Sequence, residues 1–171
     1  MSTENRKRFR SELGKQYELL RLACPHNDML QSTVREAIKD HFDWVNINDL
    51  AVLDIGCGNG ETTLFILSAH AKVTVTAIDN EQVMIEKAKT LLYDFIPKRV
   101  ALVQKDALQF LQDVESESVD AVASVFTIHN WDRAYRSQVL REIFRALKEG
   151  GIFVNADKYA HDRDAEHNKH F

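Results

Sequence analysis

From residue 51 onward, short apolar runs alternate with longer segments whose apolar residues recur every three to four positions. The short runs, several of them rich in β-branched residues, predict strands at 51–55, 72–78, 99–104, 119–125 and 152–156. The longer segments predict helices at 61–69, 81–93, 107–111 and 133–147. Nearly continuous apolar strands separated by helices are typical of a parallel sheet covered on both faces. We therefore predict an α/β fold with a doubly wound, mainly parallel sheet.

The first 49 residues have a helical pattern instead. Apolar residues at helical spacing predict one helix before Pro25, which cannot continue a helix, and a second helix after it. The repeating positions are Leu13, Tyr17, Leu20, Ala23, Val34, Ile38 and Phe42. We predict three units: residues 1–49 as a helical cap over the binding site described next, residues 50–160 as the α/β core, and residues 161–171 as a charged tail.

Three glycines at alternate positions, Gly56, Gly58 and Gly60, follow the first predicted strand. Glycine lets the backbone approach a ligand closely, and in doubly wound sheets ligands bind where the strand order reverses. Two ligand classes use such a loop: dinucleotides and S-adenosylmethionine. The spacing is one residue shorter than the dinucleotide motif G-x-G-x-x-G, and Asp54 and Glu61 would repel a pyrophosphate. The loop therefore favours a cationic ligand without phosphate.

Two further carboxylates follow the second and third predicted strands. Asp79 lies about 20 residues after the glycine loop, where a carboxylate is well placed to accept hydrogen bonds from ribose hydroxyls. Asp106 is placed to accept a hydrogen bond from an adenine amino group. Each aspartate alone could simply cap a helix, but together with the glycine loop they predict a binding site at one edge of the sheet.

The stretches VLDIGCGNGETT, AIDN, KDA and LREIFRALKEGGIFV resemble the class I S-adenosylmethionine-dependent methyltransferases, over roughly residues 10–160. The resemblance implies a Rossmann-like methyltransferase fold and a cofactor-binding set of Asp54, Gly56, Cys57, Gly58, Asn59, Asp79, Asn80, Asp106, Ala107, Ser124 and Phe126. The loop members would surround the methionine part, and the members that follow the second and third strands would meet ribose and adenine. Ser124 and Phe126 would line the pocket near the methionine part.

Within this family, AIDNEQVMIEKAK, FTIHNW and NADKY resemble a branch that contains carboxy-S-adenosylmethionine synthase and small-molecule methyltransferases. The arginine and the tyrosine that this synthase uses are not visible here, so we do not predict the carboxylating activity. The family sheet usually has seven strands, and this chain has no pattern for the last two. We therefore expect either a truncated end or a sheet edge that is covered in another way, and an uncovered edge would let two copies pair.

Methyl transfer is an in-line displacement that depends mainly on alignment, and it needs a base only when the acceptor must lose a proton. Candidates for such a role follow the fourth and fifth predicted strands: His129, Asp157 and Tyr159. Each of them could equally be a structural side chain. Trp131 could form a cation–π wall of the pocket or pack on the next helix.

The net charge and the cysteine content limit which partners and which cellular compartment we expect. The net charge of −4 provides no general electrostatic footprint for nucleic acid, although Arg6, Lys7, Arg8 and Arg10 form a local basic cluster. Cys24 and Cys57 do not form a metal-type pair, and a reducing cytoplasm is the expected compartment. The apolar runs are too short to span a bilayer.

A metal site is not predicted either. His161, His167 and His170 lie in a charged terminal segment without a cysteine, which is typical of a solvated tail. The sequence therefore predicts an S-adenosylmethionine-dependent methyltransferase that acts on a small molecule. A tRNA-modifying enzyme and a truncated cofactor-binding module without turnover remain as alternatives.

Overall fold

The computed structural model describes residues 26–45 and 49–157. Helices and strands alternate through this part of the chain, in the order α1 (Asn27–Val45), β1 (Leu50–Ile55), α2 (Glu61–Ala69), β2 (Val73–Asp79), α3 (Gln82–Leu91), β3 (Val100–Gln104), α4 (Ala107–Asp113), β4 (Val119–Val125), α5 (Arg133–Ala146) and β5 (Leu147–Ala156). Short 3-10 turns follow α3 and β4, at Tyr93–Phe95 and Ile128–Asn130. The predicted order of elements is confirmed.

Most boundaries lie within two residues of the prediction, and the start of β5 differs by five. The helix predicted to reach residue 93 ends at Leu91 and tightens into the 3-10 turn. Strand β5 begins at Leu147 rather than residue 152, because Leu147 already pairs with Val119 of β4. The pairing then shifts register before Ile152, and Gly150 in this irregular stretch has a φ of 76°. An apolar pattern could not show a strand that starts across such a bulge.

The strands form one parallel sheet in the order β3-β2-β1-β4-β5. Strand β1 pairs with β2 on one side and with β4 on the other, so the strand order reverses between β1 and β4. The predicted α/β doubly wound parallel sheet is thereby confirmed. The loops after β1 and β4 meet at the reversal point, where ligands bind in folds of this type.

Helices cover both faces of the sheet. One apolar cluster joins α1, α2 and α3 to one face, and the buried Val34, Ile38 and Phe42 form the side of α1 that packs there, as predicted. A second cluster joins α4 and α5 to the other face, around Leu111, Val139 and Ile143. Burial of each such side chain stabilises the fold by about 1.5–3 kcal/mol.

Several predicted features lie outside the described residues. They are the first N-terminal helix, the basic cluster at 6–10, Cys24, Tyr159 and the histidines at 161, 167 and 170. The division of the chain into cap, core and tail therefore stays a prediction. Among the helices that the structure describes, none combines the length and the apolar character needed to cross a membrane.

Candidate functional site

The glycine loop between β1 and α2 has the left-handed backbone that its composition predicts. Gly56, Gly58 and Gly60 have φ values of 75°, 55° and 89°. At Gly56 a Cβ atom would lie 2.3 Å from Oγ1 of Thr127, which follows β4, so a side chain cannot be accommodated. The N–H groups of Gly56 and Cys57 both donate to the Ile78 carbonyl, at 2.8 and 2.9 Å. The loop is therefore held against the ends of β2 and β4.

Asp79 at the end of β2 fastens the same loop. Its Oδ2 accepts a hydrogen bond from the Gly58 N–H at 2.9 Å, and its Oδ1 accepts one from the Glu81 N–H at 2.9 Å. Burial raises the pKa of this carboxyl, and the hydrogen bonds from the two backbone N–H groups oppose that rise. Each carboxylate oxygen can accept more than one hydrogen bond, so a ligand can share the group with the loop.

Asp106 follows β3 and caps α4. Its Oδ1 accepts hydrogen bonds from the N–H groups of Leu108 and Gln109, at 3.0 and 3.2 Å. The Tyr135 hydroxyl of α5 donates to the same oxygen at 2.8 Å and accepts from the Leu108 N–H at 3.1 Å. Asp106 therefore caps α4, which was the structural alternative that the sequence left open. Its contact with adenine stays a prediction.

Asp54, in β1, lies beneath the loop and does not line the cleft in the described structure. It is 0% exposed, and its Oδ2 accepts a hydrogen bond from the Thr63 hydroxyl at 2.6 Å. Its Oδ1 has no hydrogen-bond partner within the described part of the chain. Burial raises its pKa to about 7, against the lowering effect of the Thr63 hydrogen bond. An unsatisfied buried carboxyl oxygen is costly, and such groups are common at functional sites.

One cleft at the carboxyl edge of the sheet gathers most of the predicted cofactor-binding residues. The predicted residues that line it are Gly56, Gly58, Asp79, Asn80, Asp106, Ala107 and Phe126. The predicted residues that are not among its described lining are Asp54, Cys57, Asn59 and Ser124. Cys57 and Ser124 are buried, and burial raises the pKa of the Cys57 thiol. Asn59 instead accepts a hydrogen bond from the Glu61 N–H at 3.4 Å, beside the loop.

Other lining residues were not predicted for this cleft. They are Ile78, Glu81, Met84, Lys105, Val125, Thr127, Asn130 and Tyr135, whereas Trp131 was predicted as a pocket wall. Five of these eight lie within two residues of the end of a strand, so their positions in the sequence could have indicated them: Ile78, Glu81, Lys105, Val125 and Thr127. Tyr135 lies in the first turn of α5, four residues after Trp131.

An aromatic wall closes the cleft beside Asp106. The rings of Trp131 and Tyr135 meet edge to face, with centroids 5.3 Å apart and planes at 72°. Phe126 lines the cleft where β4 ends and has a φ of 51°, which is strained for a residue with a bulky side chain. Backbone strain of this kind is concentrated at functional sites.

His129 and Asp157, predicted separately as catalytic candidates, lie against each other. The His129 backbone N–H donates to Asp157 Oδ2 at 2.9 Å, and the His129 ring contacts Asp157 Oδ1 through Nδ1. The Asp157 side chain is 2% exposed and the His129 side chain 31% exposed. The third candidate, Tyr159, lies outside the described residues.

The charges around the cleft favour a cationic ligand that also donates hydrogen bonds. Asp79, Glu81 and Asp106 line it, and the described lining contains one cationic side chain, Lys105, which is paired with Asp113. Carboxylates interact strongly with ammonium groups and accept hydrogen bonds from hydroxyls and amino groups. Within residues 26–45 and 49–157, no three His, Cys, Asp or Glu side chains are grouped so that they could hold a metal ion.

Comparisons with known proteins agree with this geometry. The model of a family described as "Methyltransferase domain" matches residues 52–151. A demethylmenaquinone methyltransferase of Leptospira interrogans is 37% identical over 109 residues, which is 63% of this chain and 43% of that protein. A carboxy-S-adenosyl-L-methionine synthase of Shewanella piezotolerans is 27% identical over 157 residues, which is 84% of this chain and 61% of that protein.

A solved structure has the same fold. The sugar N-methyltransferase KedS8 from Streptoalloteichus superposes with a TM-score of 0.63 at 18% identity, over 84% of this chain and 54% of that one. The chain spans about half the length of the curated relatives it matches.

Proposed function

The chain belongs to the methyltransferase domain family, and from this premise we propose that it binds S-adenosylmethionine in the cleft and transfers the methyl group to a small molecule. The observation that carries the proposal is the convergence of the glycine loop, Asp79 and Asp106 on one cleft, at the reversal point of the sheet. When bound, this cofactor supplies an electrophilic methyl group on a cationic sulfur.

The residues present fit such a cofactor. Asp79 is placed to accept hydrogen bonds from ribose hydroxyls, and Asp106 to accept one from the adenine amino group. The aromatic wall of Trp131 and Tyr135 supplies an apolar surface beside Asp106. Asp54 is sealed beneath the glycine loop and does not line the cleft, so its attraction for the ammonium end of the cofactor would act through the loop rather than by direct contact.

A dinucleotide fits the same cleft poorly. Its pyrophosphate would have to lie at the start of α2, where Glu61 is the first helical residue. Carboxylates also outnumber cationic groups along the described lining, so a doubly negative phosphate group would be repelled.

Calorimetry with S-adenosylmethionine, S-adenosylhomocysteine and NADH tests the cofactor. We expect the first two ligands to bind and NADH not to bind. Binding of NADH in place of S-adenosylmethionine would overturn the proposal.

The acceptor class is proposed from the relatives. Those of the matched relatives that are named as methyltransferases include one for demethylmenaquinone and one for a sterol, both small molecules. The basic cluster at the N-terminus, which favours the RNA alternative, lies outside the described residues. Because the chain spans only part of its relatives, turnover has to be measured separately from cofactor binding, and binding without transfer to any acceptor would leave a binding module.

A second candidate activity is the formation or binding of a carboxylated S-adenosylmethionine, since a relative named for it matches 84% of this chain. A carboxylate on the cofactor would need a cationic partner, and the lysine in the described lining, Lys105, is already paired with Asp113. The plain cofactor is therefore the stronger proposal. Mass spectrometry of the nucleoside released from the purified protein distinguishes the two.

We also propose that two copies can pair along β5. In the described sheet, β5 is an edge strand, and none of its residues is fully buried. An edge with unpaired backbone groups can add a strand from another chain. Light scattering that shows a monomer at all concentrations would contradict this pairing.

A further inference from the structure

The structure joins two side chains that are 28 residues apart in the sequence, at the carboxyl ends of β4 and β5. These strands are neighbours, with Val125 paired to Ala156, so the segments that follow them start side by side. The 3-10 turn Ile128–Asn130 then brings His129 back over Asp157. The carboxylate receives both the backbone N–H of His129 and the contact from its ring, so backbone and ring are fixed together.

This arrangement determines which ring nitrogen carries the proton. Because a carboxylate only accepts hydrogen bonds, Nδ1 of a neutral His129 ring has to be the donor toward Asp157. The lone pair is then on Nε2, on the opposite side of the ring. The Asp157 side chain is 2% exposed and the His129 side chain 31%, so the exposed part of the pair belongs to the histidine.

The pair adjoins the proposed cofactor site. Residues on either side of His129 in the same turn, Thr127 and Asn130, line the cleft. The Asn130 side chain donates to the carbonyl groups of Phe126 and Thr127, both at 3.3 Å, which holds the turn in shape. His129 itself is not among the described residues that line the cleft; it lies beside the cleft, on a braced turn whose neighbouring residues belong to the lining.

From this geometry we infer that His129 is a general base and that the methyl acceptor is a hydroxyl compound, a phenol or an alcohol. The inference rests on the proposed function. A neutral amine attacks with its own lone pair, whereas a hydroxyl group is a weak nucleophile until it loses its proton. Nε2 takes the hydroxyl proton while the oxygen forms a bond to the methyl carbon. The electron pair of the breaking carbon–sulfur bond stays on sulfur, and the imidazolium then returns its proton to water. Asp157 is the positioning residue, which holds the ring in the reactive tautomer.

The variant His129→Asn isolates the base. Its amide N–H can replace the Nδ1 donor toward Asp157, but it has no counterpart of Nε2. We expect S-adenosylhomocysteine to bind with unchanged affinity, and kcat/KM for phenol to fall by about 10²- to 10⁴-fold, the usual contribution of a general base. Added imidazole should restore part of the rate. The matched control is His70→Asn, at the opposite edge of the sheet between α2 and β2, which should leave the rate unchanged.

Acceptor acidity provides the readout that a structural role would not alter. The probes are phenol, 4-nitrophenol (largely ionised at pH 8) and benzylamine, each with methyl-labelled S-adenosylmethionine. We expect transfer to phenol, a large loss for phenol in His129→Asn, and a much smaller loss for 4-nitrophenol. Equal losses for both phenols, transfer to benzylamine alone, or no transfer to either phenol by a protein that binds the cofactor would overturn the inference. Absence of cofactor binding would instead refute the proposed function on which it rests.

A second readout needs no turnover. Long-range ¹⁵N–¹H NMR spectra should show the Nδ1–H tautomer for His129 in the wild-type protein. Asp157→Asn can present a donor to Nδ1, so the ring proton should move toward Nε2. Phenol added in the presence of S-adenosylhomocysteine should shift the His129 ring signals. An Nε2–H tautomer in the wild-type protein, or ring signals that phenol does not move, would contradict the role of base.

Discussion

Replacing Asp79 by alanine separates loop anchoring from cofactor binding. The carboxylate holds the N–H groups of Gly58 and Glu81, both at 2.9 Å, so its loss leaves two donors without this acceptor. We expect the free energy of unfolding to fall by about 1–3 kcal/mol, given about 1 kcal/mol for each hydrogen bond. If the carboxylate also accepts hydrogen bonds from ribose, the affinity for S-adenosylhomocysteine should fall by a further 1–3 kcal/mol, which is about 5- to 150-fold.

Thermal unfolding and calorimetry measure the two effects independently. Asp79→Asn should lie between wild type and Asp79→Ala, because the amide oxygen can accept one of the two backbone hydrogen bonds. The control is Asp43→Ala, whose carboxylate forms an exposed ion pair with Lys39 at 3.0 Å and should change neither quantity appreciably. A dissociation constant that stays at the wild-type value while stability falls would refute the ribose contact and leave Asp79 as a loop anchor alone.

Three further substitutions test the surroundings of the cleft. Gly56→Ala should destabilise the fold more than Gly150→Ala in denaturant titrations. Both glycines have nearly the same positive φ (75° and 76°), but only a side chain at position 56 would clash with Thr127. Equal losses of unfolding free energy in the two variants would contradict the close packing at Gly56. Asp54→Asn should stabilise the ligand-free protein at pH 8 by up to about 4 kcal/mol. The pKa of the Asp54 carboxyl is raised from 3.8 to about 7 in the folded protein, so the wild-type protein becomes less stable as pH rises through that interval. A gain of the same size at pH 4 would contradict this cause. Tyr135→Phe should weaken S-adenosylhomocysteine binding by about 0.5–1.5 kcal/mol in calorimetry, because the Asp106 carboxylate loses the hydroxyl that donates to it. Unchanged affinity would place Asp106 away from the ligand.

The fold was predictable because its signals are local. A strand buried on both faces needs an uninterrupted apolar run, and β4, in which every residue is buried, matches its predicted limits at both ends. The start of β5 was not predictable, because the strand pairs across an irregular register and its residues 148–151, after Leu147, are charged or glycine. Pairing there depends on the neighbouring strand rather than on the residues themselves.

Most of the residues predicted to bind the cofactor line one cleft for a related reason, and their contacts with the cofactor stay a prediction. Glycines and strand-end aspartates are required by backbone geometry, and the order of elements brings them to one edge. What the sequence could not show is how deeply each carboxylate is buried: Asp54 is the last residue but one of β1 and Asp79 the last of β2, yet Asp54 is sealed beneath the loop and Asp79 lines the cleft. Alternation along the strand and the packing of α2 over β1 decide that difference, and neither is visible in a motif.

The His129–Asp157 pair differs from the predicted cofactor-binding residues in how strongly it depends on the fold. On the cofactor side, the predicted residues lie near the carboxyl ends of β1 to β4, so the order of the strands alone brings them to one edge. On the acceptor side, the proposed role of His129 depends on its partner, because the carboxylate determines the tautomer of the ring. That partnership depends on β4 and β5 being neighbours and on the 3-10 turn that follows β4. Two candidates that were each weak in the sequence thus become one specific chemical hypothesis when the topology places them together.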